Sequence, residues 1–544
     1  MVFGGTKDFA EAEFLMLNSK KRTTLAVLLV CVLGLTLLPV AGLVFPVQAA
    51  VTWTKSSEEV TLGGEPYVVD ASVLWDETTG LYKMWYTHAK QPTMTVTEIK
   101  DGLVGLRLGP VIDEMAKLDI DAALNELSDI DLDALWDFLS ASNTVIGHAT
   151  ATNGTNWTVV DSEVLAGSGS GAWNSVGTPS VIRNSATDYE MWYTHTKTAT
   201  TKTEVGDILT GFGGTKAQRT TAIHDFIAAT TTVIGYAAST DGITWTKTTE
   251  VLTEGHNENS GSNAWDSVGA PSVIKDGSTY KMWYTQSKTD VDDDYLDAIL
   301  NNIATFAATD LWGIIDTTGS VIGYATSTDG TTWSAGTEVF ASSSVGSFGG
   351  LWDSVAAPSV IRNSATDYEM WYTNGTTDLT VLTLLELLEA IQTLGLPTLW
   401  TTFENDGLFA FLADLWAEDL SSIKSLLSGT STVIGYAVSS NGVAWTEADS
   451  ADLTGGGTGT PPWGGVAAPS VVKVAGKYKM WYTDGIDDIT SLDDVARVVL
   501  GTNLPIGYAY STTPAGAGGG PTAPIPPGYT YPGNKIDWQG TVTE

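Results

Sequence analysis

A short stretch in which side chains of different kinds alternate occurs five times along the chain. Its copies read YKMWYT or YEMWYT and begin at Tyr82, Tyr189, Tyr280, Tyr368 and Tyr478. A period of two is the pattern of a β-strand, because successive side chains of a strand point to opposite faces. Tyr and Met occupy one face, whereas Trp, Thr and a charged residue occupy the other. Both faces carry large side chains, so the pattern predicts a strand packed between two neighbours.

Three further short segments recur around this strand. The segment APSVI at residues 270–274 precedes the third copy, and VIGYA at residues 321–325 follows it. A turn of the type STDG then leads to a segment with a central Trp, as at Trp333. Asp-Gly between strands is a strong hairpin signal because both residues tolerate positive φ, so we expect tight turns at Asp241 and Asp329. Four antiparallel strands repeated around a centre are the blades of a β-propeller.

The fifth repeat lacks a last strand of its own. After the IGYA segment at Ile506 the chain enters a stretch rich in Pro and Gly, and no Trp-centred segment follows. The segment VTWTK at residues 51–55 has the missing pattern. We therefore predict that residues 51–55 pair antiparallel with residues 506–510 and close the ring, which removes an exposed sheet edge.

Longer segments separate the second and third strands of every blade. They comprise residues 88–143, 195–231, 286–319, 374–431 and 484–504. Residues 131–139 and 380–394 show the apolar spacing of helices, and we expect at least two helices in each of the first and fourth insertions. Strand direction places all five insertions on one face and the tight turns on the other. The predicted fold class is therefore mainly β: a five-bladed β-propeller, residues 51–512, with helical insertions between the second and third strand of each blade.

The segment before the propeller has the composition of an export signal. Residues 20–22 are basic, residues 25–38 are apolar, and small residues at 47–49 suit cleavage. We predict that residues 1–50 are a signal peptide and that the protein is secreted or held at the cell surface. The alternative is an uncleaved membrane anchor, since the apolar stretch is long enough to span a bilayer. Residues 513–544 are predicted to be a Pro/Gly linker followed by a truncated tail.

The charge balance narrows the classes of partner. Acidic residues outnumber basic ones by 63 to 26, and the net charge is −37. This balance argues against nucleic acid and against anionic membrane surfaces, which select for Lys and Arg. The single cysteine, Cys31, lies in the apolar N-terminal stretch, so the mature chain would have no disulfide. The sequence has no phosphate-binding loop and no His/Cys cluster of the metal-binding type, so no cofactor and no metal are predicted.

Blades that read xPSVI, YKMWYT and IGYAxSxDGxxW resemble the five-bladed propeller clan of glycoside hydrolases, which includes arabinanases, fructosidases and mannoside phosphorylases. The resemblance covers residues 51–512 apart from the insertions. It implies acidic residues around the channel on the first strands of three blades, because glycoside hydrolysis uses carboxyl groups as acid and as base or nucleophile. Asp70 occupies the matching position, just before the place of the Pro in PSVI, and would be the base. The other blades have Thr178, Ala270, Ala357 and Ala468 there.

Polar and aromatic residues near the predicted channel mouth are the other ligand-binding candidates. The loops before the first strands supply Trp173, Asn174, Trp265, Asp266, Trp352 and Asp353. The positions directly after MWYT supply His88, His195, Gln286, Asn374 and Asp484. For the tryptophans the alternative interpretation is packing between blades, and for the histidines it is an ordinary hydrogen-bonded side chain.

Three functions follow from these observations. The first is a secreted, glycosidase-like propeller that binds a carbohydrate, or a protein partner through its helical insertions. The second is an active glycoside hydrolase or transglycosidase that uses Asp70 as base and recruits an acid from Asp266, Asp353 or Asp484. The third is a surface-layer or adhesion module. The sequence leaves open whether the chain is an enzyme.

Overall fold

A computed structural model describes most of the propeller and part of its insertions. The described residues are 51–56, 60–62, 68–90, 96–116, 120–141, 143–167, 174–196, 201–253, 267–288, 319–341, 354–377, 395–407, 410–411, 414, 430–455, 465–485 and 506–511. Their strands form five small sheets in a ring, which is the predicted five-bladed β-propeller. Among these residues no helix is long and apolar enough to cross a membrane.

Each blade contains three consecutive strands and an outer strand. Two short strands come first, β1 (Trp53–Lys55) and β2 (Thr61–Leu62). The first blade contains β3 (Val68–Asp76), β4 (Leu81–Ala89), β5 (Thr144–Ala151) and β6 (Asn156–Leu165), and the second contains β7 (Val176–Ser185), β8 (Asp188–Thr196), β9 (Thr232–Ser239) and β10 (Trp245–Leu252). The third blade contains β11 (Val268–Asp276), β12 (Thr279–Lys288), β13 (Gly319–Ser327) and β14 (Thr337–Phe340), and the fourth contains β15 (Ser354–Ser364), β16 (Asp367–Thr377), β17 (Thr430–Ser439) and β18 (Trp445–Leu453). The fifth blade contains β19 (Val466–Val474), β20 (Lys477–Asp484) and β21 (Ile506–Ser511). Strand β2 lies parallel to β6 at the edge of the first blade.

The N-terminal strand closes the ring as predicted. Strand β1 pairs antiparallel with β21, with Trp53 opposite Ser511 and Lys55 opposite Ala509. The fifth blade is thereby completed by residues that lie more than 450 positions earlier in the chain. Because the closing strand supplies the missing outer edge, every blade has four antiparallel strands, to which β2 adds a short fifth strand in the first blade.

The tryptophan of each MWYT segment fills the space between blades. Trp85, Trp192, Trp283, Trp371 and Trp481 are completely buried. Each packs against aromatic residues of its own blade and the next, as Trp283 does against Tyr324 and Tyr368. Burial of such large rings provides the main apolar core of a propeller blade junction. The glycine of IGYA is explained by the same packing, because a Cβ at Gly147 would lie 2.6 Å from the ring of Tyr86.

Serine side chains of the PSVI segments link each first strand to the next. The hydroxyl of Ser272 accepts the backbone N–H of Val360 at 3.0 Å, and Ser470 accepts that of Val73 at 2.9 Å. The equivalent bonds at the other junctions join Ser72 to Val181, Ser180 to Val273 and Ser359 to Val471. Five equivalent bonds mean that all first strands run in the same direction along the channel.

This common direction defines two faces of the propeller. In the first blade Asp76 pairs with Leu81 at one end of the strands, and Ala89 pairs with Thr144 at the other. Tight turns join the strands at the first end, which we name the turn face. The insertions leave from the second end, which we name the insertion face. The pairings of the other blades follow the same register, which confirms the predicted separation of turns from insertions.

Helices occur in the insertions, as predicted. The described part of the first insertion forms α1 (Val96–Gly105), α2 (Gly109–Ala116), α3 (Ile120–Leu127) and α4 (Leu132–Ala141), the second forms α5 (Lys202–Phe212) and α6 (Lys216–Thr230), and the fourth contains α7 (Leu396–Asp406). The apolar stretch 380–394 and most of the third and fifth insertions lie outside the described residues.

The described helices pack on each other. Leu124 of α3 joins Ile208 and Phe212 of α5 and Ala222 of α6 in one buried apolar cluster. Helix α7 lies against α2, where the indole of Trp400 approaches Gly109. Insertions of the first, second and fourth blades therefore meet on the insertion face.

Candidate functional site

The residue before the Pro of PSVI has an uncommon backbone conformation in every blade. Asp70, Thr178, Ala270, Ala357 and Ala468 have φ between 43° and 53°. Strand pairing is interrupted at the same place, for example between Val69 and Ser72 in the first blade. A bulge in a strand leaves residues unpaired and bends the strand. The left-handed conformation is unfavourable for residues other than glycine, so the surrounding structure has to hold it.

Threonines of the MWYT segments hold this conformation. The backbone N–H of Asp70 donates to Oγ1 of Thr483 at 3.2 Å, and that of Ala357 donates to Oγ1 of Thr285 at 2.8 Å. The bonds from Thr178 to Thr87, from Ala270 to Thr194 and from Ala468 to Thr373 are each 2.8 Å. In each pair the threonine belongs to the preceding blade. The five bonds form a ring around the channel, which we name the threonine ring.

Asp70 is the single acidic residue among the five positions on this ring. It is half-buried, and burial raises the pKa of its carboxyl group to about 7. Within the described ranges no cation or hydrogen-bond donor contacts the carboxylate, so nothing offsets the loss of hydration. The hydroxyl of Thr178 is engaged with the hydroxyl of Thr194, and the three alanines carry no polar group. The ring therefore presents one carboxyl group of perturbed acidity.

The two histidines after MWYT lie inside their blades. His88 is fully buried, and its Nε2 contacts the carbonyl oxygen of Ser162 on β6. His195 is about 3.9 Å from the carboxylate of Glu250 on β10, and its Nδ1 lies 2.9 Å from the carbonyl oxygen of Thr196. Burial lowers the pKa of His195. These contacts turn both rings toward the outer strand of their own blade, at the insertion end.

Among the remaining residues after MWYT, Asn374 has the same arrangement. Asn374 is buried and donates from Nδ2 to the carbonyl oxygen of Ser450 on β18 at 3.0 Å. Gln286 is buried, and Asp484 is half-buried at the end of β20. The strand register brings these positions to the start of the first strands, since Gln286 pairs with Val268 and Asp484 with Val466. Their role in ligand binding stays a prediction.

The loops that precede the first strands are described only in part. The backbone N–H of Asn174 donates to Oδ1 of Asn143 at 2.7 Å. Trp173, Trp265, Asp266, Trp352 and Asp353 lie outside the described residues. Of the acids predicted as partners of Asp70 in a hydrolase, only Asp484 thus lies within the described residues.

The aspartates of the STDG turns shape the turns, as expected. Oδ1 of Asp241 accepts the backbone N–H groups of Ile243 at 2.8 Å and Thr244 at 2.7 Å. These hydrogen bonds lower the pKa of Asp241. Asp329 makes the equivalent bonds to Thr331 and Thr332. Both carboxylates are used within the turn.

Charged residues between the blades were not predicted to form clusters, although the alternation of Lys and Glu in YKMWYT and YEMWYT signals them. Lys83 contacts Asp76 at 3.0 Å and donates to the hydroxyl of Tyr189 at 2.7 Å. Burial acts to raise the pKa of Asp76, but the hydrogen bond and charge of Lys83 lower it to about 2. Glu190 instead accepts from the hydroxyls of Tyr236 and Tyr280, each at 2.9 Å. These groups join neighbouring blades.

A cavity of about 500 Å³ lies at the opposite, turn-face end of the first strands. Trp75, Arg183 and Lys473 line it together with Ile361 and Glu77. The sequence gives only a weak indication of this cavity. The residue that pairs with the first Tyr of each YxMWYT segment is basic in four blades and Trp in the first. The described residues contain no group of three or more His, Cys, Asp or Glu side chains that could hold a metal ion.

Known proteins resemble this chain in structure but not closely in sequence. No protein-family model matches the sequence, and no curated protein matches it significantly. Several solved glycoside hydrolases are similar to the chain. One shares 11% identity over 86% of this chain and 93% of its own, with a TM-score of 0.43. A member of the GH130 family of mannoside phosphorylases, which contains glycoside hydrolases that target β-1,2 mannosidic linkages in Candida mannan, shares 9% identity over 86% of this chain and 96% of its own, with a TM-score of 0.41.

A family 117 glycoside hydrolase from the marine bacterium Zobellia galactanivorans shares 10% identity over 85% of this chain and 90% of its own, with a TM-score of 0.41. These solved structures are glycoside hydrolases, the class of protein that the blade motif resembles. The identities are too low to transfer an activity, so the function is argued from the residues of this chain.

Proposed function

We propose that the chain is a secreted, glycosidase-like propeller that binds a glycan at the insertion-face opening of its channel without cleaving it. The observation that carries this proposal is the composition of the threonine ring, where Asp70 stands with Thr178 and three alanines. Glycoside hydrolysis takes two carboxyl groups roughly 5 to 10 Å apart on either side of one sugar bond. The equivalent positions of the other blades supply no second carboxyl group.

The chemistry of the ring suits a neutral sugar. A carboxyl group with a pKa of about 7 is partly protonated at neutral pH, so Asp70 can donate to one sugar hydroxyl and accept from another. Alanine at three of the five positions keeps side-chain bulk low around the channel. Sugar sites combine apolar contact with a few polar groups that fix orientation.

A glycan partner is favoured over a protein partner at the described helices. The apolar side chains of Leu124, Ile208 and Phe212 are buried in contacts between insertions. An exposed apolar stripe of that kind would have favoured a protein partner. The adhesion or surface-layer function remains compatible with a glycan-binding propeller on the cell surface.

One observation favours the hydrolase alternative. The raised pKa of Asp70 is the property that general acids and bases require near neutral pH. In that case Asp70 would need a second carboxyl group from an insertion or a loop, such as Asp484, Asp266 or Asp353. The binding and hydrolase proposals therefore differ in whether a second carboxyl group acts together with Asp70.

The test measures retention and cleavage on the same substrates. The chain from residue 51 to 544 is incubated with a panel of polysaccharides, and both bound protein and released reducing sugar are measured. We expect retention without release, and we expect Asp70→Asn to weaken retention roughly tenfold, because the amide still donates and accepts but cannot form the charge-assisted hydrogen bond that the ionised fraction of Asp70 accepts. Asp188→Asn, at an exposed position on the turn face, is the matched control and should bind as the parent does.

Release of reducing sugar that disappears in the Asp70→Asn variant would overturn the binding proposal in favour of a hydrolase. Equal retention by the Asp70→Asn variant and the parent would contradict the charge-assisted hydrogen bond that the proposal assigns to Asp70.

A further inference from the structure

A network of charged side chains links neighbouring blades at the turn face, and it has two alternating forms. In the first form one carboxylate joins two cations. Asp76 contacts Lys83 of its own blade at 3.0 Å and Arg183 of the next blade at 3.5 Å. The junction between the third and fourth blades repeats this form, with distances of 2.9 and 3.1 Å, through Asp276, Lys281 and Arg362.

In the second form an asparagine and a glutamate take the places of the aspartate and the lysine. Asn184 donates to the carboxylate of Glu190 at 2.5 Å, and Lys275 of the next blade donates to Oδ1 of Asn184 at 3.2 Å. The junction between the fourth and fifth blades repeats this form, with both distances at 2.5 Å, through Asn363, Glu369 and Lys473. The two forms therefore alternate over four of the five junctions.

Five junctions cannot alternate between two forms, and the junction between the fifth and first blades has neither. By strand register Val474 occupies the place of the aspartate or asparagine, and Trp75 occupies the place of the cation on the next blade. Lys479 is the equivalent of Lys83, and its ammonium group lies 4.5 Å from the centre of the Tyr82 ring. In the described part of the chain no carboxylate pairs with Lys479. Apolar side chains thus replace both of the groups that would complete the network here.

The turn-face cavity of about 500 Å³ lies at this fifth junction. Trp75 lines it from the first blade, and Val472 and Lys473 line it from the fifth. Small-molecule sites in proteins have volumes of about 300–1,000 Å³, so the cavity is of the right size for such a ligand. Tyr82 supports the half-buried indole of Trp75 from within the blade, with ring centroids 4.6 Å apart. A flat apolar surface therefore forms part of the cavity wall.

Lys473 is the cation on one side of Trp75. Strand register places it at the position of Trp75 on the neighbouring blade. Its side chain is exposed, and its ammonium group donates to Asn363 and lies 5.2 Å from the centre of the Tyr478 ring. Among the described residues no carboxylate forms an ion pair with Lys473, and Glu369 accepts from Asn363 and from tyrosine hydroxyls instead. The charge of Lys473 can therefore meet an anion in the cavity.

Arg183 is the cation on the other side of Trp75, and it also lines the cavity. It shares the carboxylate of Asp76 with Lys83, so these three groups carry a net charge of +1. One exposed carboxylate, that of Glu77, belongs to the cavity wall. In a chain whose net charge is −37, two cations beside one apolar ring are a local excess of positive charge.

We propose that this cavity is a second binding site, which takes an acidic saccharide such as the uronic acid units of a glycan. The indole of Trp75 contacts the apolar C–H face of a sugar ring, while Lys473 and Arg183 bind the carboxylate of the sugar. A neutral sugar would leave the cations unused, and a simple anion would leave the indole unused. The site lies at the opposite end of the channel from the threonine ring, so it does not depend on the glycan-binding function proposed there.

The polar groups of the cavity favour a saccharide over an acidic peptide. The hydroxyl of Thr78 and the carboxylate of Glu77 line the cavity, and both residues are exposed. Sugar hydroxyls can donate to the Glu77 carboxylate and can exchange hydrogen bonds with the Thr78 hydroxyl. An acidic peptide would bring further carboxylates close to Glu77 without hydroxyl groups to satisfy it. The cavity therefore suits a ligand that combines a carboxylate with several hydroxyl groups.

The test compares an acidic saccharide with its neutral counterpart. The full chain is titrated by calorimetry with trigalacturonic acid and with its methyl ester, which has the same rings and linkages but no charge. The same pair is measured for a glucuronic acid oligomer, because the cavity specifies charge and ring rather than one sugar. We expect the acids to bind at least tenfold more tightly than the esters, since charge-assisted hydrogen bonds are roughly twice as strong as neutral ones.

Two variants assign the binding to the cavity. Lys473→Gln keeps a donor for Asn363 but removes the charge, so it should weaken binding of the acid about tenfold and leave the ester unchanged. Lys275→Gln is the matched control, because Lys275 has the same position and the same kind of asparagine partner in the third blade but does not line the cavity. Its affinities should equal those of the parent. Trp75→Leu keeps apolar packing but removes the flat ring, and it should weaken both ligands several-fold.

Several results would overturn the proposal. They are no binding of either acid, equal affinity for acid and ester, and equal losses in Lys473→Gln and Lys275→Gln. Tighter binding of hexaglutamate or of inorganic phosphate would assign the cavity to a peptide or to a simple anion instead. Asp70→Asn should leave binding of the acid unchanged, whereas a loss in that variant would assign the acid to the insertion face. The two sites can therefore fail separately.

Discussion

The threonine ring allows a sharp prediction about stability. Oγ1 of Thr285 accepts the backbone N–H of Ala357 at 2.8 Å, and Ala357 has a φ of 45°. Thr285→Val keeps the shape of the side chain but removes the acceptor. A buried N–H group without a partner costs about 1–3 kcal/mol, and the half-buried Ala357 falls at the lower end of that range. The left-handed conformation of an alanine costs about 1–2 kcal/mol that the bond no longer helps to offset. We therefore expect the variant to lose about 2 kcal/mol of unfolding free energy.

The measurement is urea denaturation of the chain from residue 51 to 544, followed by the fluorescence of the buried tryptophans. Thr366→Val, at an exposed turn position, is the matched control and should change the unfolding free energy by less than about 0.5 kcal/mol. A second variant isolates the strain. Ala357→Gly removes the penalty for positive φ, so it should recover about 1 kcal/mol in the Thr285→Val background.

The reasoning would be refuted if Thr285→Val were as stable as the parent. It would also fail if Ala357→Gly lowered stability in both backgrounds by the same amount, because glycine would then act only through the flexibility of the unfolded chain.

Three further predictions concern other parts of the propeller. Trp283→Phe removes the 2.7 Å hydrogen bond to the carbonyl of Gly442, which keeps a 3.1 Å bond from Trp445, and it removes part of a fully buried ring. The variant should lose about 2 kcal/mol in the same denaturation assay, and stability equal to the parent's would contradict both contributions. Asp241→Asn should keep the Tm, because Asn441 makes the same turn bonds with its Oδ1 in the fourth blade, whereas Asp241→Ala should lower it; equal Tm values for the two variants would contradict the turn role. Because the pKa of Asp70 is raised on folding, the parent should become less stable as the pH rises from about 4 to about 7. The Asp70→Asn variant should not show this decrease in thermal unfolding. The same pH profile for the variant and the parent would show that Asp70 is hydrated.

The sequence by itself determined the architecture of this protein. A strand pattern with period two shows which residues are buried on both faces of the strand. Because the same pattern occurs five times, the five strands must pack against equivalent neighbours in a repeating architecture. The closing strand could be predicted because residues 51–55 match a pattern that the fifth blade lacks. The separation of turns from insertions follows from strand order alone. Each of these inferences uses short-range periodicity and counting.

The tertiary structure decided which polar groups work together. The positive φ at Asp70 and its four equivalents depends on threonines of the preceding blades, and no local pattern signals a left-handed alanine. The residues after MWYT are at the expected end of their strands, yet contacts with the outer strands turn His88 and Asn374 into the blades.

Asp452 is the clearest example of a residue whose contacts the sequence does not reveal. In sequence it is one acidic residue among 63, and it takes part in no motif. Its meaning depends on Trp371, 81 residues away, and on Val51 and Trp53, about 400 residues away. Periodicity specifies the face of a strand on which a side chain lies, but only ring closure brings these donors to one carboxylate.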